Sequence, residues 1–335
     1  MKALVVGGGS IGSRQLQNLR TLGVEDLALA EIDVQCRRSV LKHCSALEFA
    51  SLEEGLQWSP NFVVLATPTH LHAEQAKQVL ELGLDLFVEK PLCHAPESLA
   101  ELVDLAGRQR VTSLVGCNMR FHPGPAKVKE LLGECRIGKL LFARIQAGSY
   151  LPDWRPGCDY RQNYAANEAT GGGCILDCIH EIDLARWYLG NVEHVFCFAD
   201  QVSSLQISTE DVAALTCIHA GGTLSEIHLD YVQRTYERGC QIVGDEGSIF
   251  WDFNEKQVRW YNVKTDGWTY FTQPKNWQVN EMHLAQMEHF LDCVRTRKKT
   301  VLPIVEAAEV MRIAFAAKAS ARQRKIVATA EEVFA

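Results

Sequence analysis

Residues 1–12 read Met1-Lys2-Ala3-Leu4-Val5-Val6-Gly7-Gly8-Gly9-Ser10-Ile11-Gly12. A short apolar run passes straight into glycines, and an amphipathic stretch follows over 11–22. Gly7, Gly9 and Gly12 have the G-x-G-x-x-G spacing between a predicted strand and a predicted helix. In that setting the first glycine permits a tight turn and the second lets backbone approach a pyrophosphate. The third lets the helix pack closely on the strand. The helix start at Ser10 and Ile11 adds unpaired N–H groups and a partial positive charge suited to a diphosphate.

Working outward, short apolar runs at 3–6, 27–30, 62–66, 84–88 and 113–116 read as strands buried on both faces. Amphipathic stretches at 11–22, 70–82 and 97–107 read as helices between them. Strands alternating with helices predict a doubly wound parallel α/β domain, in which ligands sit beyond the carboxyl ends of the strands. The second strand ends at Ala30-Glu31, 19 residues after Gly12. A carboxylate there accepts hydrogen bonds from an adenosine ribose and repels a 2′-phosphate, which predicts NAD in preference to NADP. Asp33 competes for this role, and Arg37 and Arg38 lie close by. Ala66-Thr67-Pro68-Thr69-His70-Leu71-His72 follows the 62–66 strand, so Ala66, Thr67, Pro68, His70 and His72 are candidates for lining the cofactor crevice. The two histidines also read simply as polar residues at a helix start. Glu89-Lys90-Pro91 ends the 84–88 strand, placing Glu89 and Lys90 at the same crevice. The Lys90 ammonium could stabilise negative charge developing on a substrate oxygen.

After about residue 118 the pattern changes to a helix near 125–132, a strand at 140–147, a polar aromatic loop at 150–169, and a helix at 175–189. Mostly β sequence follows over 192–271. Within it, the runs at 212–220 and 223–232 flank Gly221-Gly222, a hairpin signal. Two helical stretches close the chain. The expected division is 1–118 for the dinucleotide domain and 119–335 for an α+β domain with an open, largely antiparallel sheet; the last helices could pack back on the first domain. In Gly171-Gly172-Gly173-Cys174-Ile175-Leu176-Asp177-Cys178-Ile179-His180-Glu181-Ile182-Asp183, the residues Asp177, His180 and Asp183 recur at helical spacing. On one helix, Asp177 could orient the His180 imidazole, which moves a proton near neutral pH. The glycines would let a flat cofactor or substrate approach backbone. A bland reading has His180 satisfied in the core and Asp183 paired with Arg186. Cys174, Cys178 and His180 match no zinc spacing, so no metal is expected.

The 335 residues suit about two domains at ~150 residues each. With 34 basic and 41 acidic residues the net charge is −7, which argues against nucleic acid or an anionic membrane as a general partner. No apolar run approaches the ~18 residues of a membrane span, and the first residues lack a signal-peptide apolar region. The 12 cysteines contain no Cys-x-x-Cys pair and are expected to be reduced thiols in a cytoplasmic protein.

Taken in order, 7–12, 66–72, 89–91, Asn118–Pro123, 171–183 and Gly244-Asp245-Glu246-Gly247 resemble the glucose–fructose oxidoreductase / inositol dehydrogenase / MocA (Gfo/Idh/MocA) family over nearly the whole length. The resemblance implies an N-terminal Rossmann domain and NAD(P)-dependent hydride transfer between nicotinamide and a secondary alcohol or ketone of a sugar, sugar derivative or cyclitol. It makes Lys90 the counterpart of the family's active-site lysine, Asp177 of its acidic residue and His180 of its general base. Arg120 and His122 lie on the segment entering the substrate domain and become substrate-binding candidates. Many members place the acid four residues before the histidine; here the gap is three. The 150–164 stretch is similar to a loop in a branch associated with surface-polysaccharide and sugar biosynthesis. Trp154 and Tyr160 offer faces to a sugar, and Arg155 or Arg161 offers a fork to an anionic group such as a nucleotide-sugar diphosphate. The same loop could instead only pack against the sheet or another subunit. Relatives also include glycosidases that oxidise the sugar transiently with bound NAD, and non-catalytic NAD-binding regulators, which tend to lose the lysine or histidine present here. An uncovered sheet face favours a homodimer or homotetramer.

Overall fold

The computed structural model describes residues 1–330. The chain forms two compact units: Met1–Asn118 with Gln278–Ala308, and Met119–Trp277 with the stretch from Glu309.

In the first unit the elements run β1 (Lys2–Val6), α1 (Ser10–Thr21), β2 (Asp26–Ala30), α2 (Val34–Leu41), β3 (Leu47–Phe49), α3 (Leu52–Gln57), β4 (Phe62–Leu65), α4 (Thr69–Glu81), β5 (Asp85–Val88), α5 (Leu99–Gln109) and β6 (Ser113–Val115). All six strands are parallel, in the order β3-β2-β1-β4-β5-β6. The order reverses between β1 and β4, which opens a crevice at their carboxyl ends. The five apolar runs read from sequence are β1, β2, β4, β5 and β6. Strand β3 and helices α2 and α3 were not expected. β3 is a three-residue edge strand with Leu47 and Glu48 exposed, so it has no apolar run to announce it. Helix α9 (Val279–Thr296) belongs to this unit. Its Phe290 lies edge-on to Phe62 of β4 and Phe87 of β5, with ring centres 5.5 and 5.7 Å apart, closing the core by apolar burial and aromatic contact.

In the second unit α6 (Pro123–Gly133) precedes β7 (Leu140–Gly148); short 3₁₀ turns follow, then α7 (Cys174–Asp177) and α8 (Ile179–Leu189). Seven strands come next: β8 (Val192–Asp200), β9 (Val212–His219), β10 (Leu224–Asp230), β11 (Glu237–Gly244), β12 (Gly247–Asp252), β13 (Gln257–Asn262) and β14 (Gly267–Thr272). Helix α10 (Ile304–Gln323) and β15 (Val327–Ala328) end the described chain. The sheet order is β14-β13-β12-β11-β7-β10-β9-β8-β15. Only β7 and β10 pair in parallel; every other pair is antiparallel. One residue in two along β9 and most of β10 is buried, as expected for a sheet covered on one side. The other side carries Phe198 (64% exposed), Ile218, Leu224, Trp268 and Tyr270 (57% exposed).

The predicted 175–189 helix is two helices. Cys178 takes ψ 33° and interrupts the helix between α7 and α8. Asp177 therefore ends one helix and His180 lies just inside the next, so the shared-face argument from i, i+3, i+6 spacing fails here.

Candidate active site

In the first unit, Gly7 leaves β1 at φ +95°, where a side chain is strained. A Cβ there would come within 2.7 Å of the Ala66 carbonyl oxygen. Gly12 is the tightest position: a Cβ would fall 1.8 Å from the Gly7 oxygen. Gly9 is different. Its φ is −62° and nothing lies within 4 Å of a built Cβ, so neither backbone strain nor protein packing requires glycine. It caps α1, whose N-terminus has no side-chain cap. Open space above uncapped N–H groups fits a diphosphate. Ser10 is exposed and Ile11 half-buried at this helix start.

Glu31 closes the cradle at the end of β2. One carboxylate oxygen accepts from Gly8 N at 2.5 Å and the other from Asp33 N at 2.8 Å. Asp33 itself caps α2, accepting from Gln35 N and Cys36 N, and those bonds hold its carboxyl below the usual range. Arg37 is engaged with Glu48 at 3.0 Å and with the Glu31 carbonyl. Of the charges near this corner, Glu31 is the one bound to the glycine loop.

At the ends of β4 and β5, the Thr67 hydroxyl donates to Gln75 Oε1 at 2.6 Å. Pro68 caps α4 and is exposed, beside half-buried Ala66 and His70. His72 does not face a crevice. It is 1% exposed, with Nδ1 2.8 Å from the Pro91 oxygen and Nε2 2.8 Å from the Thr67 oxygen. The Lys90–Pro91 peptide is cis. Glu89 turns inward, accepting from Gln15 Nε2 at 2.6 Å. Burial raises its carboxyl against the pull of that bond and of Lys90. Gly116 leaves room for this carboxylate: a Cβ there would meet Glu89 Oε2 at 2.6 Å. Lys90 is half-buried beside these groups. His283 of α9, not singled out from sequence, lies 3.0 Å from Arg14 Nη1 and 3.2 Å from Asn118 Nδ2. Burial and the neighbouring guanidinium push it down to about 4.

In the second unit Asp177 and His180 are both buried. Asp177 Oδ1 accepts from the Tyr164 hydroxyl at 2.6 Å. The space beside Gly172 and Gly173, just before α7, is filled by the protein itself, not left open for a ligand. A Cβ on Gly172 would meet the Ala165 oxygen at 2.5 Å. One on Gly173, at φ +104°, would meet Glu210 Oε1 at 2.3 Å. Glu210 holds the start of α7 from far along the chain: its Oε1 accepts from Ile175 N at 3.2 Å and its carbonyl from Cys174 N. Glu210 also lies 3.7 Å from Lys318. Neither Tyr164 nor Glu210 was selected from sequence. Tyr164 sits in the aromatic loop quoted above, whereas nothing local marks Glu210.

The substrate-binding candidates are placed variously. Arg120 is buried and forks onto Asp183, Nε to Oδ2 at 2.9 Å and Nη2 to Oδ1 at 2.6 Å; Asp183 thus pairs with Arg120, not with Arg186. Close by in the chain, Glu181 pairs with Arg238 at 2.9 Å. His122 caps α6 by accepting from Gly124 N at 3.0 Å, and Trp251, Phe253 and Trp277 surround it. Burial, with Arg238 nearby, pushes it down to about 4. Trp154 donates to Ser149 Oγ at 2.7 Å and packs edge-on against Tyr231. The Tyr160 hydroxyl accepts from Gln206 N, and Arg161 is locked to Asp159 at 2.7 Å and to Gln206 at 3.0 Å. Arg155 is exposed and lines an open cavity of about 360 Å³ with Tyr160, Gln162 and Asn163.

Residues 1–117 match the family described as an oxidoreductase family with an NAD-binding Rossmann fold, and residues 126–250 match the GFO/IDH/MocA C-terminal domain. The chain belongs to the Gfo/Idh/MocA family. As a member it is an NAD-binding oxidoreductase. The scyllo-inositol 2-dehydrogenase (NAD(+)) of Bacillus subtilis is 24% identical over 275 residues, covering 78% of this chain and 75% of that protein. Among solved structures, an oxidoreductase from Agrobacterium radiobacter in complex with NAD+, L-tartaric acid and magnesium aligns with a TM-score of 0.86 at 20% identity, covering 98% of each chain. A levoglucosan dehydrogenase in complex with NADH and levoglucosan aligns at 0.88 and 18% identity, covering 99% of this chain and 100% of the other. These likenesses establish the fold. No helix among the described residues is long and apolar enough to cross a membrane.

Proposed function

We propose that this Gfo/Idh/MocA member catalyses NAD-dependent oxidation of a secondary alcohol on a sugar, sugar derivative or cyclitol, or the reverse reduction. The observation that carries the reading is a lysine at the carboxyl end of β5, in the sheet whose glycine loop is shaped for a dinucleotide, in a chain that also buries Asp177 and His180. The named substrates of the relatives, scyllo-inositol and levoglucosan, support the substrate class. Bound NAD supplies the hydride acceptor. Gly9 and the start of α1 seat its diphosphate, and Glu31 takes the ribose hydroxyls. His180 accepts the substrate hydroxyl proton, and the Lys90 ammonium stabilises the alkoxide as it forms. Asp177, held by the Tyr164 hydroxyl, is the candidate to stabilise the charged imidazole on the family resemblance, not on a shared helix face. Arg155, exposed at its cavity, remains the candidate for an anionic substituent; Arg161 is committed to Asp159.

The test is NADH formation over a panel of polyols, cyclitols, anhydrosugars and nucleotide sugars, with Lys90→Met and His180→Asn. Each variant is expected to lose at least about a hundredfold in kcat, with NAD+ affinity within about threefold of wild type. Lys90→Met retaining more than a tenth of wild-type turnover would refute its role. The uncovered apolar sheet face is further proposed to join copies into a homodimer or homotetramer. Light scattering of wild type and Phe198→Asp checks this: a monomeric mass for the wild type removes the proposal.

A further inference from the structure

We infer that His72 is a positioning residue for Lys90, acting as a donor from Nδ1 to the Pro91 carbonyl. This rests on the Lys90 role proposed above. The segment carrying Lys90 is anchored on one side, where Glu89 N donates to the Leu65 oxygen at 2.9 Å. On the other side Pro91 has no N–H to give the sheet, and its carbonyl lies 2.8 Å from His72 Nδ1. The opposite ring nitrogen lies 2.8 Å from the Thr67 oxygen. His72 thus bridges the loop after β4 to the loop after β5, and the first of these already abuts Gly7.

Burial, the strongest influence, disfavours protonation of the ring, as do the nearby charges of Lys90 and His70; the two carbonyl contacts oppose them, and the net direction is toward the neutral ring. A neutral imidazole carries one N–H and meets two acceptors here. The two contacts are equal in length, so the tautomer decides which loop is clamped, and the Nδ1 proton is the part of the proposal that the variants below test. An ammonium must be held to within a fraction of an ångström to act on an alkoxide, so the carbonyl next to Lys90 is the consequential partner.

Asparagine and glutamine separate the two nitrogens, because the Asn amide nitrogen overlays Nδ1 and the Gln amide nitrogen overlays Nε2. The enzyme with saturating NADH is labelled with [¹³Cε]lysine, and the Lys90 signal is assigned by its absence from Lys90→Arg. His72→Asn is expected to keep the wild-type Lys90 shift, and His72→Gln to move it toward the free lysine position. Movement in both variants, or in neither, overturns the inference, as does movement in Asn alone. On the fastest substrate of the panel, His72→Gln is expected to lower kcat by about tenfold to a hundredfold with a smaller change in KM, and His72→Asn to lower it less. If the resonances behave as expected while Lys90→Met still turns over, the clamp stands and the catalytic reading falls. If Lys90→Met is inactive but the lysine signal ignores His72, the catalytic reading stands and the clamp falls.

Discussion

The glycine loop at residues 7–12 and the segment at 171–183 both pair glycines with a helix start, yet they are held by different means. In the first, Gly7 and Gly12 are constrained by backbone within the loop and the adjoining β4 turn, while Gly9 faces open space. In the second, Gly172 and Gly173 are occupied by Ala165 and Glu210; Asp177 accepts from Tyr164, and Glu181 and Asp183 are ion-paired with Arg238 and Arg120. The first region is a receptacle built from local backbone geometry. The second is a buried set of charges that depends on partners as many as 63 residues away.

The difference between the two regions is greatest at Asp183. It is 0% exposed, and its partner Arg120 is nearly so. Removing one member leaves an uncompensated buried charge, so Asp183→Asn is expected to cost about 3–5 kcal/mol in urea unfolding. Joint replacement, Arg120→Met with Asp183→Leu, should recover most of that loss, because two apolar side chains leave no charge unpaired. A single-variant loss below about 1 kcal/mol would mean that the segment is held locally after all.

That contrast explains what sequence could and could not convey. The apolar runs of β1, β2, β4, β5 and β6 are buried on both faces and announce themselves, and the glycine spacing depends only on near neighbours. β3 escaped because an exposed three-residue edge leaves no hydrophobic pattern. The break at Cys178 escaped because Ile175, Ile179 and Ile182 continue a helical repeat through it. Arg120 and His122 looked like ligand-binding side chains by position, but Asp183 and the cage of Trp251, Phe253 and Trp277 consume them. Those partners are distant in the chain and carry no local signal.

The glycine loop offers a paired test of smaller size. Gly12→Ala forces a Cβ against the Gly7 carbonyl, which is backbone and can move only with the loop, so a loss of about 1–3 kcal/mol in stability is expected. Gly9→Ala meets nothing and keeps an ordinary φ, so its thermal unfolding should match wild type. Its NAD+ affinity should nevertheless fall about tenfold, because the methyl enters the space assigned to the diphosphate. Calorimetric titration decides the matter: unchanged affinity in Gly9→Ala would show that the open space is not the cofactor seat.

The smallest effect is expected at Glu31, where the receptacle depends on charge as well as shape. The carboxylate spans Gly8 N and Asp33 N, and the Arg37 guanidinium is held by Glu48 and the Glu31 carbonyl. Among the described residues no guanidinium is bound to the glycine loop to offset a 2′-phosphate, so the protein should favour NAD+ over NADP+. Glu31→Gln keeps an oxygen for one of the two amides and removes the like-charge repulsion. Its NAD+ affinity should therefore fall only a few fold, while the preference over NADP+ shrinks by about 1 kcal/mol, roughly fivefold. Competition titrations with both dinucleotides measure that ratio directly. Wild-type affinities within about threefold of each other would remove the discrimination argued from Glu31, with exposed Arg38 the next residue to replace.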